Sequence, residues 1–283
     1  MIPLFNASGC LDALTAPEVV HGLDAFVTKT VTPLARAGNP PQRIAETEAG
    51  MLNSIGLQNP GIEAFVRDHL PRLGALDVPL WVSVGGFSAS DYTEVCERLD
   101  GCADVATIEL NLSCPNVEEA PETAAELVAA ARSATRKPLY AKLSPATWDV
   151  AESARAVADA GADGLSLINT IRGLAFDAER RLPRLGRGAG GYSGPALRPI
   201  ALACVYACAE AVELPIVGMG GASSADDVRD FVAAGAGAVA LGTVLFSDPW
   251  APVRIREELA SGGIPSPVTL RAVGPPSTSA PEL

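Results

Sequence analysis

The chain has 283 residues, 48% of them hydrophobic and 19% charged, enough to bury one large core as a single long barrel or as two small domains. Lys+Arg 21 against Asp+Glu 33 leaves a net charge of -12, which repels phosphate backbones and anionic membranes and argues against nucleic-acid binding. The six cysteines (Cys10, Cys96, Cys102, Cys114, Cys204, Cys208) hold no CxxC pair, so no disulfide framework, iron–sulfur motif or metal site is expected and a reducing cytoplasm is the expected setting.

Met1-Ile2-Pro3-Leu4-Phe5-Asn6 lacks a basic region and a sustained apolar segment, so no leader is expected. Short apolar runs of strand type then recur along the chain, each ending in polar or glycine residues. Pro3 to Asn6 is followed by Ala7-Ser8-Gly9, and Ala25 to Thr28 by Lys29-Thr30. Leu34 to Pro60 is too long for a plain connector and reads as an excursion over a functional face. Leu80 to Val84 carries Ser83 and leads into Gly85-Gly86, while Thr107 to Leu112 runs into Asn111-Leu112-Ser113-Cys114-Pro115-Asn116. Leu139 to Leu143 ends in Lys142-Leu143-Ser144, and Gly164 to Ile168 in Asn169-Thr170. A second long connection, Gly173 to Gly194, is rich in Arg and Gly. The last two runs are Pro215 to Gly218, before Gly218-Met219-Gly220-Gly221, and Ala238 to Leu241, before Gly242-Thr243.

Alanine-rich amphipathic segments such as Ala120 to Thr135, Val150 to Ala160, Pro195 to Val212 and Ala225 to Ala234 lie between these runs. Alternating strand and helix signals imply a parallel sheet, because parallel neighbours need long crossovers. An open doubly wound sheet satisfies the alternation as well; eight runs, the chain length and polar strand ends that would converge on one mouth favour a closed (β/α)8 barrel. The longest greasy stretch, Phe231 to Phe246, is short and glycine-broken, so no membrane span is expected. The expected domain is residues 1–262, and 263–283 reads as a Pro/Ser-rich tail whose last ten or so residues are expected to be disordered.

Glycines after strands seven and eight, with a helix start behind them, form an expected phosphate cup, since backbone N–H groups and a helix N-terminus favour an anion. Lys29 and Lys142 end strands two and five, so both ammonium groups should point into the mouth and need negative partners. Three roles for Lys142 fit: support of a cofactor that turns anionic on reduction, an ion pair with an Asp or Glu, or a Schiff base as in barrel aldolases. With only His21 and His69 in the chain and neither near a strand end, a Cys/His pair is not expected. Cys114, between two carboxamides, suits single proton transfer, with Lys29 able to lower its pKa; Cys96, Cys204 and Cys208 read as small apolar core residues. Asn53, Asn111, Asn116 and Asn169 offer donors and an acceptor each, the pattern needed to read a ring with adjacent C=O and N–H groups.

Across nearly the whole chain these segments resemble the class 1 dihydroorotate dehydrogenases. The resemblance is carried by Asn6-Ala7-Ser8-Gly9, Val27-Thr28-Lys29-Thr30, Gly38-Asn39-Pro40-Pro41-Gln42-Arg43, Leu52-Asn53-Ser54-Ile55-Gly56-Leu57-Gln58-Asn59, Asn111 to Asn116, Lys142-Leu143-Ser144-Pro145, Ile168-Asn169-Thr170, Ser193-Gly194-Pro195 and Gly218 to Gly221. It implies oxidation of (S)-dihydroorotate to orotate in pyrimidine (UMP) biosynthesis, with Cys114 taking the C5 proton while the C6 hydride passes to FMN. Lys29, Asn53, Asn111, Asn116, Asn169 and Thr170 would hold the substrate. FMN would rest on Ala7, Ser8, Lys29, Thr30, Lys142, Gly194, Gly220, Gly221, Gly242 and Thr243, with Lys142 supporting the reduced ring and Gly220, Gly221, Gly242 and Thr243 gripping the phosphate.

Ile44-Ala45-Glu46-Thr47 and Leu165 to Gly173 resemble the NAD-linked branch, whereas Asn6-Ala7-Ser8-Gly9 resembles the fumarate-linked one. The first branch implies a separate subunit carrying FAD and an iron–sulfur cluster, and the family implies a homodimeric core. Three departures stand out. The chain begins almost at the first strand, so the barrel floor is expected to be less well plugged; Val117 to Pro121 is shorter than the family's loop after the cysteine; and Ser83 replaces a common asparagine toward the flavin. The short loop keeps open another cyclic amide as substrate, a Schiff-base lyase on Lys142 remains the rival of a different class, and a barrel that binds FMN without turnover is argued against by Cys114 and Lys29.

Overall fold

The computed structural model describes residues 1–112 and 123–261. In chain order the strands are β1 (Leu4–Asn6), β2 (Phe26–Val27), β3 (Ile44–Thr47), β4 (Gly50–Asn53), β5 (Leu80–Val84), β6 (Val105–Asn111), β7 (Leu139–Leu143), β8 (Gly164–Leu167), β9 (Ile171–Gly173), β10 (Gly190–Ser193), β11 (Ile216–Met219) and β12 (Ala238–Leu241). The α-helices are α1 (Ile62–Ala64) and α2 (Leu70–Leu73), joined by a π-helical turn Phe65–His69, then α3 (Ala89–Asp100), α4 (Ala124–Ala134), α5 (Val150–Asp159), α6 (Arg198–Ala211), α7 (Ala225–Ala233) and α8 (Ala251–Ser261).

Eight strands form one parallel sheet in the order β1-β12-β11-β8-β7-β6-β5-β2, and a parallel bridge between Phe5 and Ala25 joins its two ends. The closed (β/α)8 barrel is therefore present, with each of the eight expected apolar runs supplying a strand. The seam between β1 and β2 is short of backbone pairing, and the buried side chain of Asn6 completes it. Its Nδ2 donates to the Val27 carbonyl at 2.7 Å, and its Oδ1 accepts from the Val27 N–H at 2.8 Å. One carboxamide thus presents to β2 the donor and acceptor that a neighbouring strand would present.

Alternation along the strands divides the core in two. Leu4, Val82, Ile108, Leu110, Leu139, Leu165 and Val239 pack outward into the large cluster shared with the helices, whereas Phe5, Val27, Trp81, Val217, Met219, Ala238 and Ala240 form a separate cluster inside the barrel. Phe5 and Trp81 lie 4.9 Å apart by ring centroid, and Trp81 and Tyr140 4.5 Å. These rings fill the barrel interior.

Helix starts are set by side-chain caps: Ser88 before α3, a Thr123/Glu126 capping box before α4, Asp149 before α5 and a Ser224/Asp227 box before α7. The long connections are not plain loops. β3 and β4 form a hairpin, β10 pairs with β4 and with β9, and the result is a four-stranded antiparallel sheet in the order β3-β4-β10-β9. The expected excursions Leu34 to Pro60 and Gly173 to Gly194 therefore pair with each other, and this sheet carries Asn53 and Ser193, both used below.

Candidate active site

Along β6 the inward positions Thr107, Glu109 and Asn111 are polar, and in register with them on β7 stand Tyr140 and Lys142. Lys142 is 5% exposed and its ammonium donates to the Glu109 carboxylate at 3.4 Å and to the Ser8 hydroxyl at 3.3 Å. The negative partner that a buried lysine requires is thus Glu109, itself 1% exposed. Sequence reasoning missed it by reading that strand as apolar; the polar alternation Thr107, Glu109, Asn111 was the available signal.

Lys29 lies across Gly9. A Cβ built on Gly9, whose φ is +77°, would stand 2.7 Å from the Lys29 Cδ and 3.2 Å from its Nζ, so glycine is required there for backbone angle and for space. Burial pushes the Lys29 pKa down; Cys10 opposes that shift, and the like charge of Lys142 adds to it. Burial raises the Cys10 thiol against the two ammonium groups, with Glu109 contributing in the same direction as burial. Two lysines and one carboxylate therefore face one another in the mouth, a local field opposite in sign to the chain's overall charge.

Beside them runs a chain of hydroxyls and carboxamides. The Ser83 and Thr30 hydroxyls are 3.0 Å apart, Asn111 donates to Thr30 at 3.4 Å, Asn169 donates to Asn111 at 3.0 Å, and the Thr170 N–H donates to Asn169 at 2.8 Å. Tyr92 fixes the end of β6 by donating to the Asn111 carbonyl at 2.7 Å. From the antiparallel sheet, Asn53 donates to the Gly191 carbonyl at 3.3 Å, and a Cβ on Gly191 would collide with the Thr170 hydroxyl. Ser83, which stands where an asparagine was expected, is spent on Thr30.

The glycine turns after β11 and β12, where a phosphate cup is expected, pack closely against neighbouring backbone. Gly221 has φ +86°, and a Cβ there would lie 2.7 Å from the Gly194 carbonyl and 3.1 Å from the Arg198 N. The Gly220-Gly221 turn therefore abuts the 3-10 turn Pro195–Leu197 that leads into α6, presenting backbone at a helix start. Thr243 donates to the Ser193 hydroxyl at 2.8 Å, and a Cβ on Gly242 would approach Ala7 at 3.6 Å and the Cys10 sulfur at 4.0 Å. Ser193 is a further polar group that sequence reasoning did not assign to this site.

The expected residues Ala7, Ser8, Lys29, Thr30, Asn53, Asn111, Lys142, Asn169, Thr170, Gly194, Gly220, Gly221, Gly242 and Thr243 all border this one mouth. Cys114 and Asn116 lie outside the described residues. His21 sits 6.0 Å from the Trp250 ring and His69 6.0 Å from Phe65, neither contacting the groups above. Cys96 and Cys208 are fully buried, and burial pushes both thiols up to about 12, as apolar core residues require.

Barrel and mouth together define an α/β-barrel protein with two buried lysines, a carboxylate and a chain of hydroxyls and carboxamides at the C-terminal ends of its strands, beside glycine turns at a helix start. A family model described as dihydroorotate dehydrogenase matches residues 1–262. The chain belongs to that family, whose members are flavin-dependent oxidoreductases. The catalytic subunit of dihydroorotate dehydrogenase B (NAD(+)) from Desulforudis audaxviator is 49% identical over 91% of this chain and 87% of its own length. The subunit of the same name from Halalkalibacterium halodurans is 45% identical over 91% and 88%. A relative in Solibacter usitatus, provisionally named dihydroorotate dehydrogenase A (fumarate), is 46% identical over 85% and 81%. The crystal structure of the Eimeria tenella enzyme with ferulenol shares the fold, with a TM-score of 0.75 at 22% identity over 92% of this chain and 80% of that one. Among the described residues no helix is long and apolar enough to cross a membrane.

Proposed function

We propose that this chain oxidises (S)-dihydroorotate to orotate, a step of pyrimidine biosynthesis, with FMN as its resident cofactor. The observation that carries the reading is the unbroken hydroxyl–carboxamide chain Thr30, Asn111, Asn169, Thr170 beside the two buried lysines. The residues fit FMN: a glycine cradle at a helix start for the phosphate, the Ser8 hydroxyl and Lys142 ammonium for a ring that gains negative charge, and, in register with Lys142, a buried Ser166 hydroxyl without a partner. When bound, FMN supplies the hydride acceptor.

Gly194, Gly220, Gly221, Gly242 and Thr243 hold the phosphate end of the cofactor, and Ala7, Ser8, Thr30 and Lys142 line its ring. Asn53, Asn111, Asn116, Asn169 and Thr170 orient the dihydropyrimidine by offering donors and acceptors to its alternating edge. Lys29 receives the substrate carboxylate and favours the thiolate of Cys114, which takes the C5 proton. A Schiff-base lysine must present a free lone pair, and the Lys142 Nζ is engaged by Glu109 and Ser8, which weighs against the lyase alternative. The shortened Val117 to Pro121 segment still favours a second reading with a different cyclic amide in the same mouth.

The names of the NAD-linked relatives, each a catalytic subunit, support a separate electron-transfer subunit; the further reading, from the family resemblance of the sequence, is that this partner carries FAD and an iron–sulfur cluster and works with a cytoplasmic homodimer of this chain. The catalytic domain spans 1–262, and 263–283 forms a tail that lies outside the described residues. A Cys114→Ala variant tests the mechanism. It should retain the yellow colour of the native protein and lose flavin reduction by dihydroorotate at neutral pH. Reduction at the native rate would remove Cys114 from its role.

A further inference from the structure

We infer that Glu109 is a positioning residue for Lys142: its carboxylate fixes the ammonium at the base of the mouth and offsets part of its charge, and so sets how strongly the site favours a reduced, anionic flavin. This inference rests on the proposed flavin site.

Glu109 points into the barrel, 1% exposed, in register with Tyr140, whose ring packs on Trp81, and a carboxylate there is costly to desolvate unless a cation meets it. Among the described residues Lys142 is its one hydrogen-bond partner. Without Glu109, the Nζ would retain the Ser8 hydroxyl at 3.3 Å as its one described partner, and four rotatable bonds would no longer be anchored from below. An apolar pair of similar volume would fill the same space at no cost in desolvation, so the pair's use lies in where it holds a charge.

The surroundings leave that charge with few other counterweights. Ser166 stands beside Lys142 across the β7–β8 register and Ser83 beside Glu109 across β5–β6; both are neutral. The other titratable groups whose charges are felt here are Lys29 and the Cys10 thiol. Among the described groups that face the mouth, Glu109 is the sole carboxylate against two ammonium groups. Replacing it by the isosteric amide raises the local charge by one unit and releases the Lys142 side chain upward, toward the developing negative charge.

The test is the midpoint potential of the bound flavin, read against reference dyes in the native protein, Glu109→Gln, Lys142→Met and the double variant. Glu109→Gln is expected to shift the oxidised–reduced equilibrium about tenfold toward the reduced form, about 30 mV for a two-electron couple. Lys142→Met should shift it the opposite way, and Glu109→Gln added to Lys142→Met should then shift it by clearly less than in the native background, because only the direct loss of the carboxylate's charge remains. A shift below twofold in the native background, or an undiminished shift without Lys142, overturns the inference. A purely structural role would lower the melting temperature and leave the potential in place.

A second arm needs no flavin. In the flavin-free proteins, Lys142→Met leaves a buried carboxylate unpartnered, so Lys142→Met with Glu109→Gln should melt at a higher temperature than Lys142→Met alone. An equal or lower melting temperature for the double variant overturns the pairing even where the single Glu109→Gln variant fails to fold. A chain that never binds flavin defeats the proposed function and leaves this arm to judge Glu109 by itself.

Discussion

Asn6→Leu separates architecture from chemistry at the mouth. The leucine matches asparagine in size and removes both hydrogen bonds that the side chain makes to the backbone of Val27 across the β1–β2 seam. Asn6 is 0% exposed and Val27 is 3% exposed, so no water replaces the lost partners. Each buried backbone group left unpaired costs about 1–3 kcal/mol, and two give about 2–6 kcal/mol. At about 2 °C per kcal/mol for a domain of this size, the melting temperature should fall by about 4–12 °C. β1 leads into Ser8 and β2 into Lys29, so the loosened seam should also weaken flavin retention although Asn6 is assigned no contact with it. Urea unfolding of the flavin-free protein, fitted with an unchanged slope, reads the stability loss directly. A loss below about 1 kcal/mol would refute the view that this side chain closes the barrel.

Lys29→Met should stabilise the flavin-free protein at neutral pH while abolishing turnover. Burial lowers the Lys29 pKa, so between that lowered value and the ordinary 10.5 the unfolded chain holds a proton that the folded chain has lost, and native stability rises with pH across this window. The variant's advantage in melting temperature should therefore be largest at neutral pH and shrink toward 10.5; an advantage independent of pH would contradict the burial argument. Gly221→Ala places a Cβ 2.7 Å from the Gly194 carbonyl at a positive φ and should weaken FMN binding at least about tenfold, as about 1.4 kcal/mol of lost binding requires, with the far-ultraviolet circular dichroism unchanged. An unaltered FMN affinity would detach Gly221 from the phosphate cup. Asn169→Ala breaks the link between Asn111 and Thr170 and should raise the KM for dihydroorotate about tenfold, the scale of one lost polar contact; an unchanged KM would take this carboxamide out of substrate binding.

The barrel strands were legible because a parallel strand buried on both faces must be apolar and must end where the mouth begins. Lys29, Lys142, Asn111 and Asn169 stood out for the same reason, as polar residues at the ends of greasy runs. The antiparallel sheet was not legible. β10 opens with Gly190-Gly191 and β9 closes on Gly173, so no apolar alternation marks them, and the partner that ties β10 to the rest of the sheet, β4, lies more than a hundred residues away. Glu109 was hidden by its neighbours, since Ile108 and Leu110 make the strand look apolar while the alternate positions carry the polar chemistry. Asn6 was read as part of a motif; only the geometry of a closing barrel reveals that its side chain substitutes for backbone.

In the proposed reaction the mouth passes electrons from a dihydropyrimidine to a bound flavin. Adding (S)-dihydroorotate to the native protein without oxygen, while recording the visible spectrum and the orotate formed, tests this most directly. The flavin band should bleach, and orotate should appear in equal amount to the flavin reduced. A colourless protein, or a flavin band that dihydroorotate leaves unchanged, would contradict it.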